Sequence, residues 1–68
     1  MRIKEIREDR DLTQVEIAKV LNCKQNTYAQ YESGKRQIPI EAIKKLCVFY
    51  NVSADYILGL PDLPYPKR

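Results

Sequence analysis

The side chains with chemistry to offer are concentrated in residues 24–37, KQNTYAQYESGKRQ. Gln25, Asn26 and Gln30 are amides, each holding a donor and an acceptor side by side, so one side chain bonds two atoms of a flat polar edge at once. Thr27 adds a hydroxyl and a methyl. Lys24, Lys35 and Arg36 are cations with only Glu32 against them, and Ser33 sits just before Gly34. Tyr28 and Tyr31, three residues apart, are too aromatic for a helix bathed in water, while the amides are too many for a helix buried in a core. Helical spacing resolves the conflict by dividing the segment into faces, with the rings inward and Gln25, Asn26, Ala29 and Gln30 outward.

Other chemistries lack their parts. The 68-residue chain has no histidine, so a zinc site or a histidine acid–base pair is not expected. Cys23 and Cys47 form no C-x-x-C pattern and read as small hydrophobes in a reducing compartment, with a single disulfide as the alternative. Paired carboxylates on one predicted face and a phosphate-cradling glycine loop are also missing. The expectation is therefore no enzyme, no cofactor, no metal and no small-molecule ligand. The formal charge of +3 permits a polyanionic partner without demanding one. Its placement is local, because Glu5, Glu8, Asp9 and Asp11 cluster near the N-terminus while the cations flank residues 24–37. No apolar run reaches membrane-spanning length, and MRIKEIREDR lacks the apolar centre of a signal peptide, so a cytoplasmic, nucleoid-associated location is expected.

Apolar residues recur at helical intervals and no run alternates as a strand does. Ile3 and Ile6 mark a short amphipathic helix over residues 2–10, broken at Asp11-Leu12. Thr13 is a good N-cap, and Glu16 completes a T-x-x-E capping box for a second helix carrying Val15, Ile17, Ala18 and Leu21. Asn22-Cys23 is a tight turn. A third helix runs from about Gln25 to Glu32 or Ser33 and stops at Gly34. Ile38-Pro39 begins a fourth helix, with proline in its first turn and an apolar stripe of Ile40, Ile43, Leu46, Cys47 and Tyr50. Phe49 lies beside that stripe, at the core edge or on a contact surface. Asn51-Val52 turns the chain, Ser53 caps a fifth short helix, and Gly59 closes it. Residues 1–60 read as one all-α domain, a compact five-helix bundle, and the proline-rich residues 61–68 as an extended tail.

The second and third helices are joined by a turn too short for antiparallel packing, so they cross steeply. Ile17, Ala18, Leu21, Asn22, Cys23, Tyr28 and Tyr31, counted from Gln14, stand at the offsets a helix-turn-helix requires. On these residues, and on LTQVEIAKVLNCKQNTYAQYESGKR and YNVSADYILGL, the sequence resembles the XRE-type helix-turn-helix family of lambda-repressor-like domains, phage repressors and Cro proteins. The resemblance covers about Ile3 to Leu60. It departs from the family at Asn22, where glycine is commonest, at Lys24, where a Ser or Thr usually caps the third helix, and at Ile38-Pro39.

The resemblance implies a lambda-repressor-like fold whose third helix enters the major groove of double-stranded DNA while the second crosses the backbone. Gln25 and Asn26 match the family's principal base-reading positions, and Thr27 and Gln30 are further candidates. Gln14, Lys24, Ser33, Lys35 and Arg36 are the expected phosphate contacts, and these fix position without reading sequence. Arg7 and Glu32 match a structural ion pair that orients the reading helix. Tyr56, Leu58, Leu60, Leu63 and Tyr65, more apolar surface than a short helix and tail bury alone, either fold back on the bundle's own core or form the candidate dimer or partner surface. The expected function is a small bacterial or phage transcriptional repressor, binding an inverted-repeat operator as a homodimer. The alternative is an antitoxin-like module that binds a partner protein.

Overall fold

The computed structural model describes residues 1–59; the tail residues Leu63 and Tyr65, together with Leu60, lie outside them. Five helices follow in order: α1 (Ile3–Asp9), α2 (Gln14–Val20), α3 (Gln25–Ser33), α4 (Ile40–Tyr50) and α5 (Ala54–Leu58), with no strand among the described residues. This is the all-helical, lambda-repressor-like bundle that the resemblance implies.

Local chemistry sets most of the boundaries. Thr13 accepts from the Glu16 backbone N–H at 3.1 Å, and Glu16 Oε1 accepts from the Thr13 N–H at 2.8 Å, so both arms of the capping box close at the start of α2. Ser53 accepts from the Tyr56 N–H at 3.1 Å to start α5. Asp11, Asn22 and Asn51 turn the chain at φ of 55°, 57° and 58°, a left-handed conformation that Asn and Asp tolerate better than most residues. At Gly34, φ is 83°, where a side chain would be strained, and α3 stops there.

The start of α4 differs from expectation. Pro39 is not in the first turn but is the N-cap, extended at ψ 154°, and the helix begins at Ile40. The buried line is Ala42, Leu46 and Tyr50, four residues apart, with Ile43 and Cys47 half-buried beside it. Ile40 lies roughly 200° around the helix from Ala42, on the opposite side, and is 70% exposed. Ile38, just before the cap, is buried in its place.

Ile3, Ile6, Ile17, Ala18, Leu21, Tyr28, Ile38, Ala42, Leu46, Tyr50 and Ile57 make one core shared by all five helices. Two links from α1 hold the later helices. The Arg2 N–H donates to the Ile57 carbonyl at 2.8 Å, and Arg10 Nη2 donates to the Tyr50 carbonyl at the end of α4, 3.0 Å away, with its guanidinium over the Tyr50 ring. Cys23 and Cys47 are both free and half-buried.

Arg7 makes the third link, and it is the one that reaches α3. Its Nε donates to Glu32 Oε2 at 2.7 Å and its Nη2 to Glu32 Oε1 at 3.3 Å, a two-pronged contact. Nη1 donates to the Leu12 carbonyl at 2.8 Å, which ties down the chain between α1 and α2. The pair is largely enclosed, the side chains being 11% and 4% exposed. Burial works against the Glu32 charge, but the bonds from Arg7, aided by the nearby Tyr28 hydroxyl and the Gln14 amide, outweigh it and hold the carboxyl below its ordinary value.

Truncating either partner strands a charge in a dry site, so Arg7→Ala and Glu32→Ala are each expected to cost about 3 kcal/mol. Urea melts of both variants and the double variant check this; the double loss should fall well short of the sum, and additive losses overturn the coupling. A carboxyl whose pKa is depressed by folding contributes stability above its unfolded value and loses it as pH falls through the folded one. The stability gap between wild type and Glu32→Gln should therefore be full near neutrality and narrow as pH drops below 4.5, the ordinary glutamate value. Urea melts across that range read the gap, and a constant gap refutes the assignment.

Candidate nucleic-acid interface

Leu21 ends α2, Asn22 turns left-handed, and the Cys23 N–H donates back to the Ala18 carbonyl at 2.9 Å. The chain then enters α3 at once. The two helices pack against each other more extensively than any other pair, with Ile17, Leu21 and Tyr28 buried between them and Cys23 and Tyr31 against that core. The hydrogen bond between Gln14 and Gln25 shows that the N-terminal ends of the two helices lie on the same side.

Tyr28 is fully buried and anchors α3. Gln25 and Asn26 are exposed, whereas Thr27, Ala29 and Gln30 are half-buried. The outward face is therefore open at its N-terminal end and closes toward the middle of the helix, so Ala29 and Gln30 are less outward than helical spacing alone suggests. Lys24 is exposed and extended at the N-cap position, and its side chain makes no capping bond. Beyond Gly34 the Arg36 N–H returns to the Gln30 carbonyl at 3.2 Å, which folds the exposed Lys35 and Arg36 back beside the end of α3. Ser33 is exposed, and its hydroxyl already donates to the Gln30 carbonyl at 3.2 Å.

The polar side chains connect in series. Gln14 Nε2 donates to Glu32 Oε1 at 3.0 Å, and Gln14 Oε1 accepts from Gln25 Nε2 at 3.4 Å. The order of donors follows from the groups themselves. Arg7 only donates and the ionised Glu32 only accepts, so Gln14 must turn its NH₂ to Glu32 and its oxygen outward. Gln25 turns its own NH₂ toward Gln14 in a longer, solvent-exposed contact. One N–H and the Oε1 of Gln25 stay free on the exposed side. Sequence reasoning gave Gln14 a phosphate contact alone and missed this relay, because nothing in a linear separation of 11 residues shows that the two helix starts meet.

Among the described residues, Arg7–Glu32 is the one ion pair, so Lys24, Lys35 and Arg36 keep their charge free on this side. Elsewhere on the surface Tyr56 is 41% and Leu58 38% exposed, with the Arg2 guanidinium 4.6 Å from the Tyr56 ring centre. Phe49, 44% exposed, borders with Val20, Lys44 and Val48 an open groove of about 450 Å³ on α4. Among the described residues no cluster of Cys, Asp or Glu is arranged to hold a metal ion, and no helix is long and apolar enough to cross a membrane.

Comparison with known proteins agrees with this geometry. The family model described as Helix-turn-helix matches residues 3–57. The chain is 35% identical over 66 residues to the uncharacterized HTH-type transcriptional regulator YobD of Bacillus subtilis, covering 97% of this chain and 59% of that protein. It is 39% identical over 51 residues to the cryptic phage CTXphi transcriptional repressor RstR of Vibrio cholerae, covering 75% of this chain and 46% of that one. With the antitoxin PezA of Streptococcus pneumoniae it shares 37% identity over 57 residues, 84% of this chain and 36% of the relative. The chain thus spans about half the length of these curated relatives. No solved structure gives a significant match. The crossed α2–α3 pair, its short left-handed turn and the family match over nearly all the described residues together establish that the chain belongs to the XRE-type helix-turn-helix family.

Proposed function

We propose that the chain binds double-stranded DNA and reads its sequence by laying α3 in the major groove. The observation that carries this reading is the oriented amide of Gln25. Its free N–H and Oε1 match the acceptor N7 and donor N6 of adenine, whereas guanine sets its O6 acceptor against the Gln25 oxygen. Asn26 stands beside it with equal exposure, and Thr27 and Gln30 extend the reading surface. Gln14, Lys24, Ser33, Lys35 and Arg36 contact the phosphates on either side, Ser33 by rotating its hydroxyl away from Gln30. Arg7 and Glu32 brace α3 against α1 and touch no base. Residues 1–60 form the binding domain and residues 61–68 a tail.

The protein acts as an intracellular transcriptional repressor without catalytic activity, occupying an operator and blocking it. The named phage repressor among its relatives supports this role. Tyr56 and Leu58 join two copies into a homodimer on an inverted repeat. A second reading, an antitoxin-like module that binds a partner protein through the same surface, is favoured by the similarity to an antitoxin.

Selection from random duplexes, followed by titration at several salt concentrations, tests the two readings. The DNA reading expects a short inverted repeat; enrichment of no sequence favours the partner-binding reading instead. Gln25→Ala should relax one base position at a cost of about 1–3 kcal/mol, and Gln14→Ala should relax the same position by freeing the Gln25 amide. Lys35→Ala should weaken all duplexes alike and lower the slope of log affinity against log salt by about one. A base preference altered by Lys35→Ala, or left untouched by Gln25→Ala, contradicts these roles.

A further inference from the structure

A cleft of about 170 Å³ opens between α1, the start of α2 and the second half of α3, lined by Lys4, Gln14, Ala29, Glu32 and Ser33. We propose that this cleft receives one phosphate of the DNA backbone and that Lys4 is the cation that holds it, an inference that rests on the DNA reading above.

The charge of the cleft comes from Lys4. Its side chain is exposed, and among the described residues no carboxylate stands within ion-pairing distance of it, although Glu8 follows at the helical spacing where a pair could form. Glu32, the acid in the wall, does not cancel that charge. Oε2 accepts from Arg7, Oε1 accepts from both Arg7 and Gln14, and the carboxylate is neutralised by the guanidinium behind it. An anion entering the cleft therefore meets an unpaired ammonium and a compensated pair.

The donors are equally specific. Gln14 Nε2 carries two hydrogens, and the bond to Glu32 uses one, leaving the second for an oxygen in the cleft. Ser33 already donates to Gln30, so Lys4 and Gln14 supply the donors that need no rearrangement. Ala29 presents only a methyl group and leaves the mouth open. The space is several times the ~30 Å³ of a water molecule, enough for a tetrahedral phosphoryl group. Gln14 joins this cleft to Gln25 through a single hydrogen bond, so a phosphate held here and the base edge read there are fixed in one register.

Salt titrations on a selected duplex compare wild type, Lys4→Ala, Lys4→Arg and Lys44→Ala; the last removes the same charge from the α4 groove, away from the cleft. The series is repeated with single methylphosphonates that neutralise one backbone phosphate at a time. Lys4→Ala should bind on the order of tenfold more weakly on every duplex with a salt slope lower by about one, while Lys4→Arg keeps the wild-type slope. Thermal melts of Lys4→Ala should match wild type. One methylphosphonate position should weaken wild type far more than it weakens Lys4→Ala, which keeps only the Gln14 contact there. Equal effects of Lys4→Ala and Lys44→Ala, or no phosphate position coupled to Lys4, overturn the site while leaving the DNA reading standing. A wild-type protein that holds no duplex even at low salt overturns the DNA reading itself.

Discussion

A single guanidinium holds the parts of this bundle in register. Arg7 sends one prong into the loop carbonyl of Leu12 and two into the carboxylate of Glu32, so α1, the entrance to α2 and the end of α3 share one fixed point. A buried ion pair of this kind is weak evidence for net stability, since desolvating two charges consumes much of what their attraction supplies. Its value lies in what it forbids. Neither side chain can leave the other without exposing an uncompensated charge to a dry site, so sliding or rotating α3 against α1 carries that penalty. The apolar core alone is less exacting, because Ile, Leu and Tyr surfaces tolerate small shifts that a two-pronged contact does not.

That fixed point has a direction. From Arg7 outward every group in the relay has its donor and acceptor sides assigned by the one before it. A glutamine on an isolated helix presents its amide in either of two orientations, and the two read different base edges. Here the second orientation would set the Gln14 oxygen against the Glu32 carboxylate, which the enclosed site penalises heavily. Order imposed in the interior therefore reaches Gln14, whose outward oxygen favours one orientation of the exposed Gln25 amide through a longer 3.4 Å contact. Glu32, an acid on the helix proposed to meet a polyanion, costs little in that setting because its charge is spent inward.

Features that depend on a few neighbouring residues were legible in the sequence. The Thr13–Glu16 capping box, the left-handed turn at Asn22, the stop at Gly34 and the Ser53 cap all arise from local bonding, and each stands where the residue types put it. The inner face of Ile17, Leu21, Tyr28 and Tyr31 was legible for the same reason, since helical period alone groups them. Features that depend on the docking of distant elements were not. Ile40 reads as core by its chemistry but lies outside because the core meets the side of α4 that carries Ala42, whose small size gives no apolar signal. The Gln14–Gln25 bond requires the crossing angle of two helices, and the cleft beside Lys4 requires the position of a third. For Lys4 a signal did exist: it precedes Arg7 by one helical turn, so any reading that turns Arg7 toward α3 places Lys4 on that side as well.

The two buried tyrosines show how the interior accommodates its ion pair. The Tyr28 and Tyr50 hydroxyls have no partner within hydrogen-bonding geometry, although both rings are completely enclosed. A phenylalanine would pack as well and leave nothing unsatisfied. The surroundings explain the choice. Burial pushes both hydroxyls up and keeps them protonated, and the Tyr28 hydroxyl lies close enough to Glu32 to help hold that carboxyl ionised. Neutral dipoles beside a buried charge return part of the solvation that burial removed, without adding a charge that would itself need a partner. The Tyr28 hydroxyl thus offsets part of the desolvation penalty of the enclosed Arg7–Glu32 contact. The tyrosines that anchor α3 and α4 in the core are in this way also part of the electrostatics around the pair that ties α3 to α1.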